Sequence, residues 1–219
     1  MEIVKLAVAI DGPAGAGKST IAKLVADKYN LMYINTGAMY RAVALKAVEK
    51  GLSPDNVDEI CSLIDKMKIK FNGDRLILND EDITEKLSLP EIAGKVSHFA
   101  AIERVREKLV FQQQNIAEEH DVIMDGRDIG TVVLKKAPYK FYITASPEER
   151  AQRRYNELME KGILVDYNDI LNEIIKRDHI DTHRKINPLK KASDAVLIDT
   201  SNMTISEVVE KICSHINIQ

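Results

Sequence analysis

The chain has 219 residues, 45% of them hydrophobic and 30% charged, a balance that excludes a disordered or fibrous protein. Its formal net charge of −3 argues against a protein that coats nucleic acid, because affinity for phosphate backbones requires an excess of basic residues. Its two cysteines, Cys61 and Cys213, are too few for a disulfide framework. We therefore expect one domain with an insertion, in a cytoplasmic protein that has neither a signal peptide nor a membrane span.

The first fifty residues predict two strands that each lead into a helix. Residues 4–10 are apolar and rich in β-branched side chains, as in a strand buried on both faces, and a glycine-rich loop separates them from apolar positions at helical spacing. Residues 31–34 predict a second strand, and the helix that follows it stops at Gly51. This alternation indicates right-handed crossovers and a parallel sheet.

After residue 53 the pattern changes. Residues 68–71 alternate with period two, Asn72-Gly73 is a strong hairpin signal, and residues 76–78 can pair back, so we predict a small antiparallel insertion. Residues 79–82 predict a further turn, and Pro90 closes the insertion. Helical patterns follow at residues 91–98 and 103–119.

The remaining elements return to alternating strands and helices. Strands are predicted at 122–124, 139–143 and 195–198, and helices at about 147–162, 169–184 and after Thr204. Ser146 and Thr204 are the expected N-caps of the first and last of these helices. The predicted fold class is α/β: a five-stranded parallel sheet flanked by helices, with an antiparallel insertion at about 53–90 and a helical lid at about 146–165. The core of this single domain is expected at about 1–52, 90–145 and 185–219.

The loop at residues 12–19, GPAGAGKS, matches the phosphate-binding pattern GxxxxGK[ST]. Its glycines allow positive φ, so that successive backbone N–H groups point into one concavity, and the following helix adds its positive N-terminal end. Lys18 would balance the β- and γ-phosphates of a bound nucleotide, and the Ser19 hydroxyl would complete the shell of a magnesium ion. The sequence therefore predicts a nucleoside triphosphate site.

Two clusters on predicted helices have both a functional and a structural interpretation. Arg150, Arg153 and Arg154 share one helix face, which is either a solvated basic surface or a lid that closes over a triphosphate and stabilises charge during transfer. Arg177, Asp181 and Arg184 also share one stripe. Taken alone, that spacing is more typical of a surface ion-pair ladder.

Two further clusters follow predicted strands, at the edge of the sheet where α/β proteins bind ligands. Residues 125–128, Asp-Gly-Arg-Asp, end the third core strand, and we favour a functional interpretation of this charged turn. Thr36 and Arg41 occupy the equivalent place after the second strand. For that pair, an N-capping threonine and a surface arginine are an equal alternative.

At these residues the chain resembles the bacterial cytidylate kinases, which belong to the nucleoside monophosphate kinase group of P-loop kinases. The resemblance spans essentially the whole chain. It is carried by AIDGPAGAGKST at 9–20, NTGAMYRAVAL at 35–45, VSHFAAIERVRE at 96–107, DGRDIGTVVL at 125–134 and RDHIDTHR at 177–184. The first segment is shared by many P-loop enzymes, whereas the last two are much more particular to this family.

The resemblance implies ATP- and magnesium-dependent phosphorylation of CMP or dCMP by a monomer. The ATP-binding residues would be Gly12, Pro13, Ala14, Gly15, Ala16, Gly17, Lys18, Ser19 and Thr20, with Ser19 as the metal ligand. The acceptor's phosphate would contact Arg41 and Arg127. Its pyrimidine would contact Thr36, Arg106, Asp128 and Arg184, and its sugar Ser97, Arg177 and Asp181. The candidate catalytic residues are Lys18, Arg127, Arg150, Arg153 and Arg154.

The residue chemistry agrees with part of this assignment. Cytosine carries an amino donor where uracil carries a carbonyl acceptor, and a carboxylate such as Asp128 suits the donor. Ser97 and Arg106 would lie on opposite faces of one continuous helix, so a bend near Phe99 is expected between them.

Two alternatives remain open at this point. The first is a P-loop kinase that phosphorylates another small acceptor, against which Asp128 and the RDxxDxxR stripe count. The second is a nucleotide-dependent switch protein that forms no product. The chain lacks the NKxD guanine signature, and three lid-like arginines in cis suit a self-sufficient enzyme.

Overall fold

A computed structural model describes residues 5–217, apart from the side chains at positions 90 and 93. The strands that form the central sheet are β1 (Ala7–Asp11), β2 (Met32–Asn35), β6 (Val122–Gly126), β7 (Tyr139–Thr144) and β8 (Val196–Asp199). They are ordered β2-β6-β1-β7-β8, and every neighbouring pair is parallel. The predicted fold class is confirmed, although the predicted start of the first strand, Val4, lies outside the described residues.

The α-helices are α1 (Lys18–Tyr29), α2 (Thr36–Glu49), α3 (Val57–Asp65), α4 (Pro90–Ala100), α5 (Glu103–Glu119), α6 (Pro147–Glu160), α7 (Tyr167–His183) and α8 (Ile205–Cys213). Helices cover both faces of the sheet, whereas α6 and α7 pack against each other. The side chains of β1 alternate between two buried clusters, Val8 and Ile10 with α1 and α8, and Ala9 with α2, α4 and α5. This two-sided burial explains the uninterrupted apolar sequence of the strand.

The helix caps follow the sequence signals. Ser146 accepts a hydrogen bond from the backbone N–H of Glu149 at the start of α6, and Thr204 forms a capping box with Glu207 at the start of α8. Helix α3, by contrast, was not predicted. Within residues 5–217, none of the helices is both long and apolar enough to cross a membrane.

The insertion forms a separate antiparallel sheet of β3 (Ile69–Asn72), β4 (Arg75–Leu78) and β5 (Glu81–Asp82). Asn72 pairs with Arg75, so the hairpin loop is Gly73-Asp74, one residue later than predicted. Asn79 and Asp80 both have positive φ (50° and 67°), the requirement of a tight turn that suits strand twist. This turn leads into β5, which the sequence pattern predicted only as part of a turn.

Candidate functional site

The candidate site is a cleft of about 210 Å³ at the carboxyl ends of the central strands. It lies beside β1, where the strand order reverses, since β2 and β6 lie on one side of β1 and β7 and β8 on the other. The cleft contains part of the phosphate loop and all the residues assigned to the acceptor by resemblance: Thr36, Arg41, Ser97, Arg106, Arg127, Asp128, Arg177, Asp181 and Arg184. Topology therefore brings together segments that are far apart in sequence.

The cleft carries a strong local excess of positive charge. Among the described residues that line it are six cationic side chains, Lys18, Arg41, Arg106, Arg127, Arg177 and Arg184, against the carboxylates Asp125, Asp128 and Asp181. This excess of three positive charges stands in a chain whose formal net charge is −3. A concave site with such a field attracts small anions.

The phosphate loop has the backbone conformation that its glycines predicted. Gly15 and Gly17 have φ of 75° and 84°, and Gly12 has φ of 148° with so little space that a Cβ there would meet the Ile143 carbonyl oxygen at 1.9 Å. Lys18 is buried, and its Nζ donates to the Pro13 carbonyl at 2.6 Å. Burial, with a further contribution from Arg127, lowers the pKa of Lys18 well below its usual value. An anion in the loop would favour the charged form of this lysine.

The Ser19 hydroxyl faces the carboxylate of Asp125, to which the sequence analysis assigned no individual role. Ser19 Oγ donates to Asp125 Oδ2 at 2.9 Å, and the Tyr33 hydroxyl donates to Asp125 Oδ1 at 2.8 Å. Burial, and then Asp125, raises the pKa of Tyr33, so this phenol remains a donor. A hydroxyl and a carboxylate are the hard oxygen ligands that suit magnesium, so these two side chains fit the predicted ion.

At another part of the cleft, Asp128 is held between two arginines. Its Oδ2 lies 2.5 Å from Arg106 Nη2 and its Oδ1 lies 3.5 Å from Arg184 Nη2, with all three side chains buried. The Arg106 guanidinium also lies over the Tyr40 ring, 5.2 Å from its centroid. The Tyr40 hydroxyl and Arg106 Nε are buried without a hydrogen-bond partner among the described residues. Unpaired polar groups of this kind indicate a pocket for a polar ligand.

The stripe on α7 belongs to the same cleft and is not a surface ladder. Asp181 is 6% exposed and accepts from Arg127 Nε at 2.7 Å. Burial alone would raise the pKa of Asp181, but Arg127, together with Arg177 and Arg184, outweighs burial and holds that pKa below its ordinary value. Burial, and then Arg127, lowers the pKa of Arg177 to about 10. Burial also lowers the pKa of Arg41, so both arginines favour an anionic partner.

Ser97 and Arg106 reach the cleft from different helices. Ser97 lies near the end of α4, and Arg106 lies in the first turns of α5. Ala101 and Ile102 separate the two helices, two residues beyond Phe99. The expected bend is confirmed, and it explains how residues nine apart can line one cleft.

Arg150 lies beneath the phosphate loop instead of in the cleft. It is 2% exposed, and its guanidinium donates to the Ala14 carbonyl at 3.0 Å and to Asp178 of α7 at 2.6 Å. The side chain thus connects three elements: the loop, α6 and α7. These contacts are structural in this conformation, and its catalytic role stays a prediction.

Arg153 and Arg154 point to other partners. Arg153 donates to the Thr200 carbonyl at 2.7 Å, and the exposed Arg154 pairs with Glu157 at 2.8 Å. Neither is among the described residues that line the cleft. Their action on a triphosphate therefore remains a prediction that requires movement of α6 or of these side chains.

The sequence analysis missed Asp125, Tyr33, Asn35 and Tyr40 as site residues. Asp125 belongs to the charged turn that was singled out, but its pairing with Ser19 across 106 residues left no local signal. Asn35 caps α2 through its side chain and also donates to the Tyr33 hydroxyl at 3.2 Å. Tyr40 shares a helix face with Thr36 and Gly37, a spacing from which it could have been found.

The family model and the relatives that match this chain agree on one family. Residues 8–218 match the family model described as cytidylate kinase. A cytidylate kinase of Clostridium botulinum (strain Hall) is 57% identical over 97% of this chain and 98% of its own length. One of Clostridium perfringens (strain SM101) is 59% identical over 96% and 97%. A crystal structure of an uncharacterized protein from Eubacterium ventriosum shares the fold, with a TM-score of 0.51 at 15% identity over 96% of this chain and 97% of that one.

Proposed function

The chain belongs to the cytidylate kinase family, and we propose on that premise that it transfers the terminal phosphate of ATP to CMP and dCMP. The observation that carries the proposal is the cleft, in which a phosphate loop shares its walls with a buried carboxylate and an excess of three positive charges. Such a site suits two phosphorylated molecules that meet end to end. The products are ADP and the corresponding cytidine diphosphate.

We assign the recognition of the base to Asp128. Its carboxylate accepts a hydrogen bond from the 4-amino group of cytosine, and Arg106 and Arg184 hold the carboxylate in place. Thr36, whose hydroxyl donates to the Asp125 carbonyl at 2.7 Å, forms the adjoining wall. Uracil would present a carbonyl oxygen to the carboxylate, so it should bind far less well.

The phosphate and the sugar of the acceptor are assigned to the remaining cations. Arg41 and Arg127 bind the phosphate, and their guanidiniums neutralise it so that one of its oxygens can approach the terminal phosphate of ATP. Asp181 orients Arg127 through the bond to its Nε. Ser97, Arg177 and Asp181 face the sugar. No protein nucleophile is needed, because the attacking oxygen is already anionic.

The phosphate loop and Lys18 bind the triphosphate. The backbone N–H groups of residues 12–19 surround its phosphates, and Lys18 exchanges its bond to the Pro13 carbonyl for the β- and γ-phosphates. The Ser19 hydroxyl, with Asp125 in support, would hold a magnesium ion, which would supply positive charge to offset the negative charge on the transferred group. Arg153 and Arg154 complete the charge stabilisation when the lid closes.

We assign the two substrates to different parts of the chain. The insertion at about 53–90 contributes to binding of the acceptor, and the lid at about 146–165 contributes to binding of ATP. The exposed ion pair between Lys23 of α1 and Asp74 at the hairpin tip links the insertion to the helix that follows the phosphate loop. We propose that the protein acts as a monomer, because the residues assigned to both substrates come from one chain.

A coupled ADP-release assay tests the function. The purified protein is incubated with ATP, magnesium and one of CMP, dCMP, UMP, AMP or GMP. We expect rapid ADP release with CMP and dCMP, a lower rate with UMP, and little with AMP, GMP or no acceptor. ADP release that is independent of an acceptor, or equal with every nucleotide, would contradict the proposal.

A further inference from the structure

Asp11, the last residue of β1, uses both carboxylate oxygens to hold a distant turn. Its Oδ1 accepts from the Ile129 N–H at 2.7 Å, and its Oδ2 accepts from the Gly130 N–H at 2.8 Å. The side chain is buried, at 3% exposure, and it does not line the cleft. It therefore acts on the site only through the backbone that it binds.

That backbone immediately follows Asp128. Residues 129–133 form a wide turn in which the Asp128 carbonyl accepts from the N–H of Val132 at 2.9 Å and of Val133 at 3.3 Å. Turns of this wide type are frequent at functional sites. Two sets of hydrogen bonds thus fix the backbone that follows Asp128: those accepted by its own carbonyl, and those that the next two amides donate to Asp11. Gln114 of α5 reinforces the far end of the turn by donating to the Val133 carbonyl at 3.3 Å.

The close approach of the turn to Asp11 suits a glycine at position 130. A Cβ there would lie 3.3 Å from Asp11 Oδ2 and 3.2 Å from Lys140 Cδ, so these side chains would have to shift slightly to make room for it. A substitution of Gly130 therefore perturbs the contact between β1 and the turn.

Burial of the Asp11 carboxylate costs free energy, even though it accepts hydrogen bonds from two amide groups. Burial raises the pKa of Asp11 to about 6, although the two amide bonds oppose that rise. The charged groups around it are mixed in sign: Asp128 raises its pKa further and Lys18 of α1 lowers it, while Tyr142 of β7 faces it and Lys140 lies across Gly130. A folded protein retains such a group where it fixes a geometry that matters.

We propose that Asp11 is a positioning residue of the acceptor site: through the amides of Ile129 and Gly130 it fixes Asp128 and Arg127 toward the cleft. This inference rests on the proposed function, because it assumes that Asp128 and Arg127 bind CMP. Asp11 itself touches no substrate. Its loss displaces the acceptor-binding residues and leaves the amide groups of the phosphate loop in place.

The experiment compares Asp11→Asn and Asp11→Ala with the wild type and with the control Asp121→Asn. Asp121 is a matched control because its Oδ1 accepts from the Leu6 N–H at 2.6 Å, near the other end of the same strands and away from the cleft. KM for CMP and for ATP, the CMP/UMP ratio of kcat/KM, and calorimetric affinities for CMP and ADP are measured for each protein. Gly130→Ala provides a second perturbation of the same contact if the Asp11 variants fold poorly.

We expect Asp11→Ala to raise KM for CMP about 10- to 100-fold, since small misplacements of positioning groups have effects of that size. Asp11→Asn, which keeps one acceptor, and Gly130→Ala should give intermediate increases. KM for ATP and the affinity for ADP should change less than about twofold, and the CMP/UMP ratio should fall. Asp121→Asn should leave all these values unchanged.

Two results would overturn the inference: a KM for CMP that matches the wild type in these variants, or parallel increases in both KM values. The second result would indicate a general loss of structure. Failure of the proposed function has a different signature, because the wild-type protein itself would then neither bind nor phosphorylate CMP.

Discussion

Replacement of Asp128 by Asn tests the central assignment, the recognition of cytosine by a buried carboxylate. Asparagine has nearly the same shape as aspartate but replaces one acceptor oxygen with an NH₂ donor and removes the charge. The side chain is held in place by contacts to Arg106 Nη2 at 2.5 Å and Arg184 Nη2 at 3.5 Å. If the carboxylate accepts from the 4-amino group of cytosine, the amide should instead donate to the 4-carbonyl of uracil.

The magnitude follows from the kind of bond that is lost. A hydrogen bond to a charged group contributes about 1.5–3 kcal/mol, which corresponds to about 10- to 150-fold in kcat/KM for CMP. UMP should gain a neutral bond that contributes about 0.5–1.5 kcal/mol, so the CMP/UMP ratio should fall by about 20- to 2,000-fold. The substitution also leaves two buried guanidiniums without the carboxylate that they share. Removal of one partner of a buried ion pair typically costs about 3–5 kcal/mol of folding stability.

The assay is therefore run with a stability control. Steady-state kcat/KM is measured for both nucleotides at a temperature where urea denaturation shows that the variant is folded. Asp194→Asn is the control for loss of an ion pair outside the cleft, because the exposed Asp194 pairs with the buried Lys140 at 2.7 Å. It should lower stability without any change in the CMP/UMP ratio. Equal losses for CMP and UMP in Asp128→Asn would refute the reasoning.

Four further predictions have distinct expected outcomes. Lys18→Ala should lower kcat by about 1,000-fold or more while urea denaturation shows little change in stability, since the lysine acts on transferred charge; wild-type turnover would remove Lys18 from the mechanism. Arg150→Met should lower stability by about 3–5 kcal/mol in urea denaturation, because it leaves Asp178 without its buried partner. Arg153→Ala should instead raise KM for ATP with a smaller effect on stability, since its guanidinium bonds to Thr200; an unchanged KM for ATP would contradict the proposed lid role. Asp11 has a folded-state pKa of about 6 against 3.8 for an exposed aspartate, so the folded state binds the proton more tightly. The stability of the wild type relative to Asp11→Asn should therefore fall by up to about 3 kcal/mol as the pH rises from 4 to 7, measured by urea denaturation, and a pH-independent difference would contradict the raised pKa.

Local signals in the sequence were sufficient for most of the elements. Residues within a few positions of one another determine four of these features, so the local sequence was enough to predict them. They are the phosphate loop, the Ser146 cap, the capping box at Thr204 and the helix at residues 103–119. The short strand β5 left no such signal, because Glu81 and Asp82 form it through pairing with β4 and not through their own β-propensity. The loop of the first hairpin was misplaced by one residue for a similar reason, since its register is set by pairing.

The sequence by itself determined the phosphate loop and the α/β fold class and, through family resemblance, predicted acceptor-site residues that line one cleft. Tertiary structure alone decided which charges meet. Helical spacing showed that Arg177 and Asp181 share a face with Arg184, but not that Arg127 would pair with Asp181 inside a cleft. Likewise, Arg150 shares a face with Arg153 and Arg154, yet it lies buried against Asp178. Periodicity fixes the direction of a side chain on its own element, whereas its partner depends on how distant elements pack.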